Sequence, residues 1–463
     1  MKLPDRYTEN MKYMLGDEYT DYISCLSRDM YHALRVNTHK ISTEDFLKIC
    51  PFDVSPVPWC KNGFYYDASK DVPSKHPFYF AGLYYLQEPS AMVPASMIPI
   101  EKGDKVLDIC AAPGGKSTEL AARLDGTGFL VSNDISASRL KALIKNMEVF
   151  GIENMLITCE SPDRLADKYE AYFDKILIDA PCSGEGMFRK SNSMINAWTD
   201  DINEKYAAIQ RSILKEAVKM IKPGGTILYS TCTFSPLEDE DSVNYLLSLD
   251  KNLSIRPVEM YDGFEPGHPE WSKEPENVDI RQTAHIFPHR VKGEGHFVSM
   301  VDMSENSEGI PHTSDQILKK YRKNDDVEEF LSHISRKIPA DRIEQLGERL
   351  FYIPEGCPDS SGLRVLRRGV YLGEIKKNRF EPSASFAMIL NAGEFDNVLD
   401  LDHTDSNVYK YLRGETLDMD MIDTDQKLRD GYVLIAVNGY PLGFGKHKNG
   451  VIKNKYLPGW RMT

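Results

Sequence analysis

Short apolar runs alternate with amphipathic stretches of helical period from about residue 96 to residue 303, and this alternation constrains the fold most strongly. The apolar runs are typical of strands and lie at 105–109, 128–133, 155–158, 175–178, 226–230 and 295–301. The stretch 203–221 has the clearest helical spacing, and a Pro-Gly-Gly sequence follows it at Pro223. This pattern predicts an α/β fold with a doubly wound, mainly parallel sheet. The carboxyl ends of its strands would meet at one edge, where such folds place their sites.

The flanking regions differ from this central part, which predicts further domains in a chain of 463 residues. Residues 1–95 mix helical patterns with short extended pieces and are assigned to an N-terminal α+β extension. The sheet domain is placed at 96–303. A polar stretch at 303–313 is typical of a linker, and the linker with a middle small domain is assigned to 304–385. Short strands and glycines predict a small β domain at 386–463.

The sequence contains neither a charged-then-apolar leader nor an apolar run of membrane-spanning length, which predicts a cytoplasmic protein without a membrane partner. Its eight cysteines form no CxxC motif, as expected for free thiols in a reducing compartment. His285, His289 and His296 lack metal-ligand spacing and are interpreted as structural or at most RNA-contacting, so no metal is expected. Nothing indicates an oligomer, and a monomer is expected.

The net charge of −14 argues against a nucleic-acid partner, but its distribution along the chain is uneven. Residues 431–463 contain no acid and interleave cations with aromatic residues: Lys446, Lys448, Lys453, Lys455 and Arg461 with Tyr440, Phe444, Tyr456 and Trp460. Residues 361–380 contain a single acid, Glu374, among six cations: Arg364, Arg367, Arg368, Lys376, Lys377 and Arg379. Such segments suit a selective RNA contact, and a solubilising surface on a β domain is the equally weighted alternative.

A glycine-containing loop follows the first strand of the sheet, and an acid follows the second. The loop is Cys110-Ala111-Ala112-Pro113-Gly114-Gly115-Lys116-Ser117, and it lacks the glycines of both the P-loop and the dinucleotide fingerprint. A tight glycine turn lets backbone approach a ligand, and Asp134 at the end of the next strand can accept both hydroxyls of a ribose. Together they favour S-adenosylmethionine, an adenosine cofactor without pyrophosphate. A packing turn with a surface aspartate is the alternative.

Two cysteines each follow a buried strand. Cys182 lies in Asp179-Ala180-Pro181-Cys182-Ser183-Gly184, and Cys232 lies in Ser230-Thr231-Cys232-Thr233-Phe234. Parallel strands would bring both thiols to the same sheet edge as the glycine loop. The sequence therefore predicts a thiol nucleophile beside a nucleotide-like cofactor. Arg139, one helical turn beyond Asp134, could orient the loop or the cofactor, and an exposed helical arginine is the alternative.

These motifs, in this order and with Glu185-Gly186-Met187-Phe188-Arg189-Lys190 after Cys182, resemble those of the NOL1/NOP2/Sun family of RNA 5-methylcytosine methyltransferases. The resemblance covers residues 1–303, and residues 439–446 and 453–460 resemble the PUA-like tail of its bacterial RsmF-like branch, which modifies 16S ribosomal RNA. It implies a seven-stranded class I methyltransferase sheet, an N-terminal RNA-binding extension and a C-terminal PUA-like RNA-binding domain. The implied partner is RNA, foremost 16S rRNA in the small ribosomal subunit.

The resemblance also implies how the residues act. Cytosine carbon 5 is a poor nucleophile, and a thiolate that adds to carbon 6 pushes electron density onto it before the methyl group is transferred. Cys232 is then the nucleophile, and Cys182 assists release, as or through a base. Asp179 holds the N3/N4 edge of cytosine and borders the cofactor. Lys190 neutralises charge in the pocket or contacts the target nucleotide, and would lower the pKa of a nearby cysteine. The implied cofactor-binding residues are Cys110, Ala111, Ala112, Pro113, Gly114, Gly115, Lys116, Asp134, Arg139 and Asp179.

The sequence departs from the family's motifs at one place, and three alternative functions remain. Many family members carry Asp-Gly-Arg after the third strand, whereas this chain has Glu160-Ser161-Pro162-Asp163-Arg164, so no adenine contact is assigned to Asp163. The same chemistry on tRNA is the nearest alternative, because the catalytic motifs do not encode the RNA. A non-catalytic RNA-binding assembly factor is the second. Protein amide methylation uses Asn-Pro-Pro-Tyr after the fourth strand, where this chain has Asp179-Ala180-Pro181-Cys182.

Overall fold

The computed structural model describes residues 3–190, 192–307, 309 and 314–463. Its first region contains helices α1 (Asp5–Leu15), α2 (Tyr19–Cys25), α3 (Thr43–Ile49), α4 (Pro77–Phe80) and α5 (Val93–Met97). Four strands accompany them: β1 (His32–Val36), β2 (Val54–Val57), β3 (Cys60–Tyr66) and β4 (Tyr84–Leu86). They form an antiparallel sheet in the order β2-β3-β1-β4, which packs against the central region.

Among the described residues, the central region contains nine strands and six α-helices. The strands are β5 (Lys105–Asp108), β6 (Phe129–Asn133), β7 (Met155–Thr158), β8 (Phe173–Asp179), β9 (Ile221–Thr231), β10 (Leu253–Arg256), β11 (Phe264–Pro266), β12 (Ala284–Ile286) and β13 (His296–Met303). The helices are α6 (Gly115–Leu124), α7 (Ala137–Val149), α8 (Pro162–Lys168), α9 (Asn192–Ala197), α10 (Ile202–Met220) and α11 (Glu240–Ser248). All six predicted strands and the helix predicted at 203–221 are present.

The C-terminal region contains α12 (Asp325–Ser332), β14 (Ile343–Leu346), β15 (Arg349–Tyr352), β16 (Val365–Arg368), β17 (Val370–Lys376), β18 (Arg379–Pro382), α13 (Ala384–Met388), β19 (Val398–Leu401), α14 (Ser406–Arg413), β20 (Leu417–Asp418), β21 (Gly431–Val437), β22 (Tyr440–Lys448) and β23 (Val451–Asn454). One sheet has the order β14-β15-β17-β18, and another has the order β19-β21-β22-β23-β20. The boundary predicted between 385 and 386 falls within α13.

The central sheet has the arrangement of a class I methyltransferase, as predicted. Its seven principal strands follow the order β7-β6-β5-β8-β9-β13-β10, with β5 to β9 parallel and β13 antiparallel to β9. The parallel strands are buried on both faces because helices cover them, which explains their continuous apolar runs. Two apolar cores result, one on each face of the sheet.

The sheet has ten strands rather than the seven that were expected. Strands β11 and β12 extend it beside β13, and β16 of the C-terminal region pairs with β7 at the other edge. The middle region therefore contributes a strand to the methyltransferase sheet instead of standing apart. The linker predicted at 303–313 lies partly outside the described residues, since 308 and 310–313 are not described.

The terminal regions share a core with each other. Phe46 and Tyr84 of the first region pack in one apolar cluster with Val433 and Trp460 of the last β domain. Another cluster joins α1 and α2 to aromatic residues of the loops after β8 and β9, including Phe188 and Phe234. The first region thus packs against both the last β domain and the central region. Within the described ranges, no helix has both the length and the apolar character needed to cross a bilayer.

A buried ion pair fastens the N-terminal sheet to α6, the helix that follows the glycine loop. Arg35 on β1 is fully buried, and its Nε lies 2.8 Å from Glu119 Oε2. Its guanidinium also donates to Thr118 Oγ1 at 2.8 Å and to Gln87. The pair therefore holds α6 against the first region.

Replacing Arg35 by methionine is expected to lower the free energy of unfolding by about 3–5 kcal/mol, because it leaves the Glu119 carboxylate buried without its charge partner. Urea denaturation followed by tryptophan fluorescence measures the change. The double variant Arg35→Met/Glu119→Gln should recover part of the loss, since it removes the stranded charge. A loss well below 1 kcal/mol in the single variant would contradict a stabilising pair.

Candidate functional site

The two predicted thiols meet at the carboxyl edge of the central sheet. Asp179 and Ser230 are paired in the parallel register of β8 and β9, so the residues that follow both strands emerge side by side. Cys182 Sγ lies 3.0 Å from Cys232 Sγ, and the backbone N–H of Cys232 donates to Cys182 Sγ at 3.3 Å. Both cysteines are free and half-buried. The site therefore offers two reduced thiols within contact distance.

Asp179 lies beside this pair and is held by several polar groups. Lys116 Nζ donates to its Oδ2 at 2.6 Å, and Ser230 Oγ donates to its Oδ1 at 3.0 Å. Burial alone would raise the pKa of Asp179, but the charge of Lys116 and the proximity of His296 outweigh it and hold that pKa below its usual range. Asp179 is consequently a carboxylate and a hydrogen-bond acceptor at neutral pH.

Cys182 keeps its proton in this arrangement. The hydrogen bond with Cys232 and the burial of the thiol raise the pKa of Cys182 above its usual value. The pKa of Cys182 is thus raised by its own surroundings, and the expectation that Lys190 lowers the pKa of a nearby cysteine stays a prediction. A thiol that retains its proton can donate it to a thiolate on Cys232.

The glycine loop borders a cavity of about 310 Å³ that reaches Asp179 and Lys190. The predicted loop residues Cys110, Ala111, Ala112, Pro113, Gly115 and Lys116 line it, whereas Gly114 does not. Gly114 has φ +110°, and a Cβ there would lie 2.8 Å from Leu143 Cδ1, so the turn requires glycine. Gln87 and Glu88 also line the cavity. Lys190 is exposed at the mouth of this cavity.

One acid in the cavity wall was not predicted. Asp108 ends β5, is fully buried, and accepts from Ser117 Oγ through Oδ2 at 2.7 Å. Its Oδ1 has no partner among the described residues, and burial raises the pKa of this carboxyl to about 7. A buried acceptor left open in a cavity fits a ligand amine, and the amino-acid part of S-adenosylmethionine carries one. An acid at the end of a strand before a glycine loop was the signal available in the sequence.

Asp134 and Arg139 are joined to the glycine loop but do not line the cavity. Asp134 follows β6, is almost fully buried, and accepts from the backbone N–H of Ser136 at 2.8 Å. Arg139 Nη1 lies 3.1 Å from Asp134 Oδ2, while its Nη2 donates to the carbonyl of Ala112 at 2.6 Å. Arg139 thus orients the loop, one of the two roles considered. A ribose contact by Asp134 stays a prediction.

Two acids behind the cysteine loops fix their shape. Glu238 accepts from the backbone N–H of Ser183 at 3.0 Å and from Asn203 and Gln210 at 2.9 Å. Glu185 accepts from Trp198 Nε1 at 3.1 Å and from Asn203 Nδ2 at 2.9 Å. Burial raises the pKa of Glu238 to about 7 and raises that of Glu185. These contacts explain how Cys182 is held at one position relative to Cys232.

A buried group of Asp239, Glu240 and His285 is the one set of described residues with metal-ligand proximity, and its ligand atoms lie within 4.8 Å of one another. His285 Nε2 pairs with Glu240 Oε1 at 2.7 Å, and Thr231 Oγ1 donates to Asp239 Oδ1 at 2.5 Å. These contacts tie the start of α11 to β9 and β12. His285 is buried and paired with Glu240, and its structural role stays a prediction.

His296 lies in the site, although the sequence favoured a structural role. Its Nε2 lies 3.8 Å from Asp179 Oδ1, and its Nδ1 lies 3.4 Å from Ser90 Oγ. Ser90 donates to Glu88, which also accepts from the backbone N–H of Glu294 at 2.8 Å. Because β13 runs antiparallel to β9, its first residue lies at the edge where β9 ends. That reversal of strand direction was the signal that the sequence reasoning missed.

In the basic segment at 361–380 three of the six cations form ion pairs described below, whereas Arg364, Lys377 and Arg379 are exposed, so an RNA contact there stays a prediction. Arg367 on β16 pairs with Glu148 of α7 at 2.6 Å, and both side chains are largely buried. Arg368 pairs with Glu344, and Lys376 with Glu374. The arginines of β16 lie inside because that strand joins the central sheet, so their charges neutralise buried acids.

The basic segment at 431–463 does expose its cations. Lys446 and Lys453 face each other across β22 and β23, and Lys448 and Lys455 are also exposed. Its aromatic residues Phe444, Tyr456 and Trp460 are buried in the domain core, so they are not available for base stacking. Like charges opposite each other in a sheet repel, and an anion bound between them would relieve that repulsion.

Four stretches of the chain match known families. Residues 95–302 match the family described as 16S rRNA methyltransferase RsmB/F, and residues 3–89 match the N-terminal domain of 16S rRNA methyltransferase RsmF. Residues 329–390 match the first C-terminal domain of RsmF rRNA methyltransferase, and residues 397–462 match the methyltransferase RsmF PUA domain. The matches follow one another in the order of the regions described above.

Individual proteins are similar over nearly the whole chain. Ribosomal RNA small subunit methyltransferase F of Vibrio parahaemolyticus is 30% identical over 98% of this chain and 96% of its own. The protein of the same name from Escherichia coli is 28% identical over 98% of this chain and 95% of its own. A methyltransferase homolog from Pyrococcus horikoshii has a solved structure with a TM-score of 0.56 and 25% identity, covering 65% of this chain and all of that one.

Proposed function

The chain belongs to the RsmF family of 16S rRNA methyltransferases, and from that membership we propose that it is an S-adenosylmethionine-dependent RNA cytosine-C5 methyltransferase acting on 16S rRNA. One observation carries the cytosine-C5 part of the proposal. The sulfurs of Cys182 and Cys232 lie 3.0 Å apart, and Asp179, at the end of the strand before Cys182, lines the cavity bordered by the glycine loop. Carbon-5 methylation needs a nucleophile that adds to the base and a second group that helps it leave, and this pair supplies both.

The cavity residues fit S-adenosylmethionine. The open oxygen of Asp108 suits its amino group, and the backbone of the loop at Gly115 lies in the same wall. When bound, S-adenosylmethionine supplies an electrophilic methyl group. Lys116 reaches from the loop to Asp179, so the cofactor wall and the base-binding acid are linked by one ion pair of 2.6 Å. This link keeps the position for the base next to the position for the cofactor.

The remaining steps belong to the site's own residues. Cys232 as thiolate forms the bond to cytosine carbon 6, while Asp179 accepts a hydrogen bond from the exocyclic amine. Cys182, which retains its proton, assists the elimination because that proton lies next to the sulfur that must leave. Lys190 at the cavity mouth is placed for the negative charge of the target nucleotide. The base must leave its stack to expose carbon 6, so an unpaired or flipped cytosine is expected.

We infer that the exposed lysines of the last β domain dock the RNA around the target. Lys446 projects from β22, Lys453 from β23 and Lys455 from the chain directly after β23. Lys446 also lies 5.5 Å above the ring of Tyr432, which anchors its position. The docking surface, defined as these three lysines, lies in the region that matches the PUA domain of the family.

Charge reversal of the docking surface is expected to weaken RNA binding. In the triple variant Lys446→Glu/Lys453→Glu/Lys455→Glu, the negative slope of log affinity against log salt concentration should become shallower by about 2. Each lost phosphate contact reduces the magnitude of that slope by about 0.7–0.9. Filter binding to 16S rRNA across a salt series measures it. Lys205→Glu/Lys219→Glu on α10, where the two side chains are 65% and 51% exposed, is the control. An unchanged affinity and slope in the triple variant would remove the docking role.

The same chemistry on tRNA is the second candidate, since the catalytic residues do not select the RNA. The test is to incubate the purified protein with labelled S-adenosylmethionine and either 16S rRNA, assembled small subunits or tRNA, and to identify the modified nucleoside by mass spectrometry. The expected product is 5-methylcytidine in 16S rRNA. Label only in tRNA would reject the substrate, and another nucleoside would reject the cytosine-C5 chemistry.

A further inference from the structure

Two tyrosines of the first region lie at the rim of its sheet, and the steps described so far do not use them. Tyr31, directly before β1, is 39% exposed, and Tyr65 on β3 is half-buried. Their ring centroids lie 6.2 Å apart at an interplanar angle of 66°, which is an edge-to-face contact. Such a contact covers at most one face of the Tyr31 ring. An exposed aromatic ring supported by a second one can accept a flat ligand.

Tyr65 is held in place by the central region. Its hydroxyl donates to the backbone carbonyl of Lys292 at 2.9 Å. Burial, and to a smaller extent the charge of Glu88, raise the pKa of the Tyr65 hydroxyl, so it keeps the proton that it donates. Tyr65 is therefore a fixed support for Tyr31. A support that is already ordered loses little side-chain freedom when a ligand binds to the pair.

The sheet of the first region connects these rings to the cavity. Tyr65 is paired with Ala33 of β1, and the backbone N–H of Gln87, directly after β4, donates to the carbonyl of Ala33 at 3.1 Å. Two strand spacings of about 5 Å separate β3 from β4, so the backbones of Tyr65 and Gln87 lie about 10 Å apart. Gln87 and Glu88 line the cavity that reaches Asp179. The rings thus lie beside the proposed position of the target base.

Exposed cations border the two rings. Lys292, whose carbonyl accepts from Tyr65, has an exposed side chain, and Lys190 is exposed at the mouth of the cavity. Arg28 and Asp29, shortly before Tyr31, are also exposed and have opposite charges. The surface around the rings is therefore positive, which suits a phosphate backbone. Aromatic rings combined with cations are the usual means of binding single-stranded nucleic acid without reading its sequence.

We propose that Tyr31 and Tyr65 form a stacking platform for the base of an unpaired nucleotide next to the target cytosine, with Lys292 at its phosphate. The inference rests on the proposed action on RNA. Moving the target base out of its stack removes contacts from both neighbouring bases. A neighbour that stacks on Tyr31 regains part of that free energy, whatever its identity, because every base has an aromatic face. The platform thus favours the flipped state without selecting a sequence.

The test measures binding of two labelled single-stranded RNAs of about 12 nucleotides to the full-length protein without cofactor, by fluorescence anisotropy. One RNA has a single central cytosine among uridines, and the other has abasic nucleotides on both sides of that cytosine. We expect Tyr31→Ala to weaken binding of the first RNA about tenfold and to leave binding of the second nearly unchanged. The wild-type protein should bind the second RNA more weakly than the first by the same factor. Tyr31→Phe retains a ring and should bind as the wild type does.

Tyr13→Ala is the matched control, because Tyr13 on α1 is 75% exposed and lies outside the platform. It should bind both RNAs with wild-type affinity. Equal losses for the two RNAs in Tyr31→Ala, or the same loss in Tyr13→Ala, would overturn the platform. A wild-type protein that does not distinguish the two RNAs, or that binds 16S rRNA but neither short RNA, would also overturn it. A wild-type protein that binds no RNA, 16S rRNA included, would instead reject the proposed function.

Discussion

Replacement of Cys232 by alanine is expected to lower the rate of methyl transfer to RNA by about 10⁴-fold or more, as removal of a covalent nucleophile does in other enzymes. The physical reason is that carbon 5 stays unreactive unless a thiolate has added to carbon 6. Methyl transfer from labelled S-adenosylmethionine to 16S rRNA measures the rate. RNA affinity should remain near wild type, because the docking lysines lie in a different domain.

Cys50→Ala is the control for this prediction. Cys50 follows α3, is half-buried, and donates only to the carbonyl of Phe52 at 3.6 Å. Its replacement should leave the rate unchanged. A methyl-transfer rate above about 1% of the wild-type rate in Cys232→Ala would show that this thiol is not the nucleophile, because removal of a nucleophile lowers the rate by a much larger factor.

Replacement of Cys182 by alanine is expected to convert turnover into accumulation of a covalent protein–RNA adduct. The addition by Cys232 should still occur, whereas the elimination loses the thiol that lies 3.0 Å from the leaving sulfur. The adduct would migrate more slowly than the free protein on a denaturing gel and return to the free position after nuclease treatment. Loss of methyl transfer in Cys232→Ala together with adduct accumulation in Cys182→Ala would assign Cys232 to the addition step and Cys182 to the elimination step.

The double variant Cys182→Ala/Cys232→Ala is the control for adduct formation and should give none. An adduct in the double variant would place the bond on another residue. Adduct formation by Cys232→Ala alone would reverse the two roles, with Cys182 as the nucleophile. Normal turnover without adduct in Cys182→Ala would show that release needs no second thiol.

The central fold could be predicted because parallel strands buried on both faces leave continuous apolar runs in the sequence. The three strands beyond the expected seven left no such signal. Strand β16 carries Arg367 and Arg368, whose cation-rich segment was interpreted as a surface. These arginines lie inside because Glu148 and Glu344 neutralise them, and such long-range pairs cannot be read from local composition.

The functional site, like the fold, could be predicted only in part. Cys182, Cys232, Asp179 and the glycine loop each follow a strand of known direction, so their convergence could be predicted. Asp108 and His296 were missed for different reasons. Asp108 was counted as part of a strand, and its open oxygen becomes visible only with the cavity around it. His296 required knowledge that β13 is antiparallel and therefore begins, rather than ends, at the catalytic edge.

The most direct test of the account is bisulfite sequencing of total rRNA and tRNA from cells with and without this gene, complemented by wild type or Cys232→Ala. The account predicts a 16S rRNA cytosine that loses protection in the deletion strain and regains it only with the wild-type gene. Protection lost only in tRNA would contradict the substrate. No lost protection anywhere would contradict the cytosine-C5 methyltransferase activity and favour a non-catalytic RNA-binding factor.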